Sequence, residues 1–351
     1  MVLSSIIPPL LFLILGFFFS KYCLLIFEKL NLTILVDDQF KKPQAFHENS
    51  TYRIGGIIFF CLLILVFSYF YVFKNFFLVE YFLFSIFFFS LGLIDDLKIK
   101  IAPKFRLIIM TTSLVVLILF NDIYIKKTGL EFLDYLMSID IFSLIFICLC
   151  FLFIINGSNL IDGFNGLLGI HSLIIFTVLF FINFYSGNVD LMYSVFYFLL
   201  ITLILLKFNF PNAKVFFGDS GAYLIGVLIT LSVINSSNLN PSISPFFFCI
   251  LLFYLFFEVF FSFFRKLIFV RQSPLFPDSQ HLHMSLYKLL VKKSGNKNHS
   301  NYITSIYINV IYLILILPGI FYMHDGLFCR YYFLVLLIFY MFFYKLLYKK
   351  T

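Results

Sequence analysis

Long apolar runs cut this chain into pieces, and they decide what it can fold into. Stretches of about 18–25 residues recur from one end to the other. Each is long enough, as an α-helix, to cross ~30 Å of hydrocarbon. They read as spans near 4–27, 54–73, 76–94, 104–121, 139–156, 167–185, 189–206, 221–236, 243–264, 303–322 and 328–346. Barrel strands would instead alternate over about ten residues, and no such alternation dominates. Composition agrees, with 62% hydrophobic residues, 12% charged residues and 55 Phe, where a soluble domain carries roughly 25% charge. The expected fold class is an all-α polytopic membrane protein of about eleven transmembrane helices, built as one integral-membrane domain over residues 1–351.

The start lacks a basic n-region and a small-residue cleavage site, so the first helix is expected to be retained. The six cysteines show no metal-ligand spacing and read as small hydrophobes. The net charge of +8 fits loop topology and anionic headgroups, with no nucleic acid implied. Placing the N-terminus outside puts twenty of the 25 Lys and Arg in inner loops and only Lys74, Lys126, Lys127 and Arg330 in outer ones. The positive-inside rule therefore predicts an outside N-terminus and a cytoplasmic C-terminus. The inner segments lie near 28–53, 95–104, 156–166, 207–220 and 265–302. Within the last, KKSGNKNHSN (292–301) reads as a mobile loop tip.

The unusual acidic residues all fall on that inner side. Asp95 and Asp96 close an apolar run in GLIDDLKIKIAPKFR (92–106). Adjacent carboxylates there need water, a cation or a basic partner, and their oxygens suit Mg²⁺. Alone, the pair would read as a solvated helix end. In NGSNLIDGFNGLLG (156–169), Asn156, Asn159, Asp162 and Asn165 recur every three residues among glycines that suggest turns and close ligand approach. In KVFFGDSGAYLIG (214–226), a Gly-Asp-Ser-Gly turn opens a helix whose free N–H groups favour anions. Asp219 there is either an N-cap or a metal ligand. The stretch from Glu258 to Met284 gathers Arg265, Lys266, Arg271, Asp278, His281 and His283, a set suited to a phosphate-bearing ligand. Lys41, Lys42, His47 and Arg53 either hold a headgroup or serve only topology.

As an ordered set, these motifs resemble those of the polyprenyl-phosphate N-acetylhexosamine-1-phosphate transferases, the membrane superfamily that includes the phospho-MurNAc-pentapeptide translocase. The resemblance covers nearly the whole chain. It rests on His47, Arg53, Gly55 and Gly56; on the Asp95–Asp96 pair; on the Asn156–Leu167 motif; on Gly218–Gly221; and on Pro277, Asp278, His281, Leu282 and His283. It implies a Mg²⁺-dependent phosphoglycosyl transfer, with Mn²⁺ able to substitute. Polyprenyl phosphate attacks the β-phosphorus of a UDP-sugar, UMP leaves, and a polyprenyl-diphospho-sugar forms. The implied partners are the UDP-sugar donor, the polyprenyl-phosphate acceptor and the bilayer, with a homodimer as an allowed assembly. The implied location is the inner (plasma) membrane, with a cytoplasmic site.

By the same resemblance, Asp219 is the first metal ligand, and Asp95 and Asp96 assist the metal or handle the acceptor phosphate. Asp162 joins them as a catalytic residue. Asn156, Asn159 and Asn165 hold the nucleotide-sugar, Phe216 stacks on uracil, and Arg265, His281 and His283 contact the diphosphate or sugar. His47 and Arg53 bind substrate. Asn165 stands where many members carry Asp, Ala222 where many carry Ser, and Ser279 where Arg is common. The Pro-Asp-Ser-Gln-His-Leu-His form resembles the GlcNAc-1-phosphate branch more than the translocase branch. A transporter is the rival from another class, since broken helices and intramembrane charges mark transporters too. Its charges would sit at mid-bilayer, whereas these sit in loops. A scaffold with a dead site is the third reading, and the intact Asp set argues against it.

Overall fold

The computed structural model describes residues 2–30, 33–37, 51–99, 101–271, 273 and 279–350. Among these, α-helices dominate, as they must where no water can satisfy the backbone. They are α1 (Val2–Leu30), α2 (Gly55–Tyr69), α3 (Val79–Asp96), α4 (Pro103–Phe120), α5 (Glu131–Met137), α6 (Asp140–Ile161) and α7 (Leu167–Tyr185). Then follow α8 (Val189–Asn209), α9 (Gly218–Leu239), α10 (Pro245–Leu251), α11 (Phe253–Phe264), α12 (Leu282–Ser294), α13 (Lys297–Phe321) and α14 (Gly326–Tyr348). Nine described helices are long and apolar enough to cross a membrane, and α10 with α11 forms a bent tenth. The chain is thus a multi-pass α-helical membrane protein. α3 carries Glu80, Asp95 and Asp96 and stands apart from that count.

α9 is the axis of the bundle. It is buried along nearly its whole length and packs on α2, α3, α6 and α7. α1, α4 and α14 turn large apolar side chains outward, as lipid-facing helices do. Gly92 lets α3 reach α9: a Cβ there would run into the backbone of Asp219 and Ser220. Small residues at such crossings permit the backbone approach on which helix packing in lipid depends.

Two expectations are corrected, for the span at 243–264 and for the loop tip at 292–301. The span at 243–264 is broken at Leu252 and bends by 75°. The break leaves the Leu251 carbonyl outside a helical ladder, and the Tyr312 hydroxyl donates to it, which keeps a polar group satisfied in an apolar setting. In the polar stretch that follows, helical turns continue α11 through Arg265–Val270, and α12 is the next described helix. Residues 292–301 are no loop tip. α12 runs to Ser294, Gly295 closes it at φ +69°, and α13 starts at Lys297 with Asn296 as its cap.

One small sheet sits at the end of the bundle where α2 and α9 begin. β1 (Val36–Asp37) pairs antiparallel with β2 (Thr51–Tyr52), Val36 opposite Tyr52 and Asp37 opposite Thr51. Tyr52 also bridges to Val215. This ties the approach to α2 to the approach to α9.

Candidate active site

The opening turn of α9 organises the site. Gly218 has φ +72°, and a Cβ on it would strike the Asp96 carboxylate. Only glycine fits there. The turn is held by carboxylates from two other helix ends. The Asp219 N–H donates to Asp96 Oδ1 at 2.9 Å, and the Ser220 N–H and hydroxyl donate to Asp96 Oδ2 at 2.9 and 2.6 Å. The Gly218 N–H donates to Asp162 Oδ2 at 2.9 Å. Asp96 is the last residue of α3, and Asp162 caps α6. Two carboxyl groups thus meet the positive end of the α9 dipole. The N–H groups expected to be free for an anion are therefore taken.

Asp219 itself is different. Its side chain is half-buried, and no described residue donates a hydrogen bond to its carboxylate. Arg53 lies beside it. The guanidinium donates from Nε and Nη2 to Asp37 Oδ2 at 3.0 and 2.6 Å, and Nη1 stands 3.8 Å from Asp96 Oδ1. Burial works against that charge, but the carboxylates of Asp219, Asp37 and Asp96 outweigh it and hold Arg53 firmly protonated. Asp95 takes a different cation: Arg106 Nη1 is 3.1 Å from Asp95 Oδ2, and the Tyr223 hydroxyl is 3.3 Å from it. Burial raises the Asp162 carboxyl well above its ordinary range, Arg53 pulls the other way, and Asp219 and Asp96 add to the rise.

Asp95, Asp96, Asp162, Asp219 and Arg53 therefore meet at one end of the bundle. The asparagines make local contacts. Asn156 turns its amide back to the Leu152 carbonyl at 2.7 Å. Asn159 is half-buried; its carbonyl accepts from the Asp162 N–H at 3.3 Å, and its side chain has no described hydrogen-bond partner. Asn165 ties neighbouring elements together, its N–H donating to Asn301 Oδ1 and its Nδ2 to the Pro211 carbonyl, both at 2.8 Å. Phe216 is buried, and its backbone pairs with Tyr52 and Gly55. His47, Asp278 and Lys41–Lys42 lie outside the described residues.

Arg265, His281 and His283 form a second cluster around a residue that sequence reasoning passed over. Glu258, 1% exposed, faces His281 Nδ1 at 3.0 Å and accepts from the Leu282 N–H at 3.1 Å. His283 Nδ1 pairs with the Tyr254 hydroxyl at 3.0 Å, while its buried Nε2 has no hydrogen-bond partner among the described residues. Arg265 Nη1 donates to Gln280 Oε1 at 2.6 Å. Phe164, two residues after Asp162, lies edge-on to His283 at 5.3 Å. A lone carboxylate in a Phe-rich run was the signal for Glu258. Arg106 stood inside the Asp-Asp motif but was counted only for topology.

Comparison with known proteins closes the argument. Residues 78–237 match the profile described as glycosyl transferase family 4. The phospho-N-acetylmuramoyl-pentapeptide-transferase of Dictyoglomus turgidum is 32% identical over 252 residues, covering 69% of this chain and 76% of that protein. The chain belongs to glycosyl transferase family 4. Within the family it is also similar to the undecaprenyl-phosphate alpha-N-acetylglucosaminyl 1-phosphate transferase of Thermotoga maritima, 30% identical over 207 residues. That match covers 58% of this chain and 60% of the relative. The enzyme of the same name from Escherichia coli strain K12 is 28% identical over 200 residues, and the match spans about half of each protein, 55% of this chain and 53% of the relative. The matched profile runs through Asp95, Asp96, Asp162 and Asp219 alike.

Proposed function

We propose that this family 4 member transfers an N-acetylhexosamine 1-phosphate, foremost GlcNAc 1-phosphate, from its UDP conjugate to undecaprenyl or another polyprenyl phosphate. The acceptor's phosphate oxygen forms a bond to the β-phosphorus, the bond to the UMP oxygen breaks, and UMP leaves. The observation that carries this reading is the tethering of α9's first turn by Asp96 and Asp162. It fixes Asp219 beside Arg53 at one end of the bundle, where a lipid-borne phosphate and a water-borne nucleotide can both arrive.

Among the described residues, no three acidic, His or Cys side chains stand close enough to hold a metal unaided. Mg²⁺ rarely needs them, since it takes one or two carboxylates and completes its shell with water and substrate phosphate. An uncommitted Asp219 fits that demand, with Asp95 as the second candidate. Asp96 is the weaker ligand, because both its oxygens already accept N–H groups. The ion, when bound, would neutralise the phosphate charge that builds during transfer. Arg53 supplies a fixed positive charge beside it, and positioning of this kind is most of what phosphoryl transfer asks. Asn156 and Asn159 are the amides left to meet the nucleotide-sugar, with Arg265, His281 and His283 as the proposed contacts of the diphosphate or sugar.

The topology belongs to the same reading. Eleven crossings, with α3 and the bent α10–α11 pair each counted once, would put the termini on opposite faces, and the Lys and Arg bias of the sequence favours the N-terminus outside. The segments near 28–53, 95–104, 156–166, 207–220 and 265–302 then face the cytoplasm of a single plasma-membrane domain. The Dictyoglomus relative favours a second donor, a UDP-linked muramoyl pentapeptide, with the same chemistry. Purified protein supplied with Mg²⁺, undecaprenyl phosphate and a panel of UDP-sugars decides. UMP release above all with UDP-GlcNAc is expected. Folded protein that releases no UMP with any member of the panel would overturn the assignment.

A further inference from the structure

The other end of the bundle holds a cavity that the transfer reaction does not use. α9 begins at the carboxylates and ends at Leu239, so its 22 residues carry the chain ~33 Å away. There the turn after α9, the start of α10 and the junction of α13 with α14 enclose about 670 Å³. Lys127, His324 and Arg330 line it, together with apolar walls from Phe246 and Leu327.

Cations are scarce at this end. The sequence places only Lys74, Lys126, Lys127 and Arg330 there, and two of the four converge on one cavity. Arg330 is held in place: Nη2 donates to the Gly129 carbonyl at 2.6 Å, and the guanidinium lies 5.7 Å over the Phe246 ring. Its Nη1 has no hydrogen-bond partner among the described residues. His324 is anchored from Nδ1 to the Ser242 carbonyl at 3.1 Å. Asp325, the one acid in the lining, is committed to capping α14, where it accepts from the Phe328 N–H at 3.0 Å. Lys127 is exposed and makes no described hydrogen bond.

The geometry points to a binding site for an anionic phosphate-bearing lipid headgroup on the membrane face opposite the carboxylates. Three features agree on that class. The volume lies in the range of small-ligand sites. A planar guanidinium and an ammonium lining one cavity suit phosphate oxygens. Phe246 and Leu327 offer apolar surface to the chain that a headgroup trails, which free phosphate would not use.

The test is lipid retention by the full chain. Delipidated protein in detergent is given dioleoyl phosphatidylglycerol or dioleoyl phosphatidylcholine and read by native mass spectrometry. Inorganic phosphate is measured separately by equilibrium dialysis. One tightly held phosphatidylglycerol is expected, with phosphatidylcholine at least tenfold weaker because choline offsets its phosphate charge. The double variant Lys127→Gln/Arg330→Gln should lose at least tenfold in phosphatidylglycerol retention while UMP release stays unchanged. If the double variant melts early, Lys127→Gln alone carries the comparison, since its exposed side chain hydrogen-bonds to none of the described residues. Equal retention by wild type and variant overturns the site. Phosphate alone binding as tightly as phosphatidylglycerol, and lost in the same variants, overturns the lipid assignment in favour of a free anion.

Discussion

Asp96 and Asp219 are both carboxylates of one site, yet the structure gives them opposite work. Asp96 is buried and spends both oxygens on the first turn of α9. Asp219 lies on that turn and receives no described hydrogen bond. Removing each should therefore fail differently. Asp219→Asn is expected to lower UMP release about a hundred- to thousandfold, the scale of losing one charge-stabilising group, while leaving thermal melting where it was. Asp96→Ala should lose activity and also melt earlier, because it strands two backbone donors at a cost of about 1–3 kcal/mol. Melting curves of the two variants side by side check this, and an equal shift in both would dissolve the distinction.

At the scale of elements, the close crossing of α3 and α9 is the sensitive joint. Gly92 sits where any side chain meets the backbone of residues 219 and 220. Gly92→Val should force the helices apart and destabilise by about 1–3 kcal/mol, dragging activity down with stability. Ser90→Ala, two residues away on the exposed face of the same helix, should melt like wild type. The existence of most spanning helices was legible in the sequence, because a 20-residue apolar run has few other fates. The break at Leu252 was not, since the group that accommodates it, the Tyr312 hydroxyl, lies sixty residues on. Helix α12 was hidden for a related reason: its polar composition resembles a loop, and its buried side, His283, Met284 and Tyr287, shows only against the rest of the bundle. For the site, the Asp motifs were readable as a set. The partners Glu258, Arg106 and Tyr223 were not, because single charges and rings in long apolar runs do not announce whom they meet.

Over the whole molecule, the proposed topology makes two loops face opposite ways. With the native cysteines replaced, a lone cysteine at Ser186→Cys should react with a membrane-impermeant maleimide on intact cells, and one at Lys292→Cys only after the membrane is opened. Both side chains are exposed, so access and not burial sets the outcome. Labelling of Lys292→Cys on intact cells would invert the assignment of faces. Polyprenyl phosphate and nucleotide would then have to meet on the other side.

The way α9 is tied down also has a consequence in time. Asp96 and Asp162 are synthesised well before the amides they receive at residues 218–220. At about 10 residues per second, Asp96 emerges on the order of ten seconds before its partners exist. Throughout that interval the nascent chain carries those carboxylates without the amides that hold them in the finished bundle. Assembly of the half-made bundle can become final only when α9 arrives, so a chain interrupted before residue 218 should stay open to membrane proteases where a chain carried past residue 239 does not. Arrested nascent chains of the two lengths, exposed to the same protease, would read that difference directly.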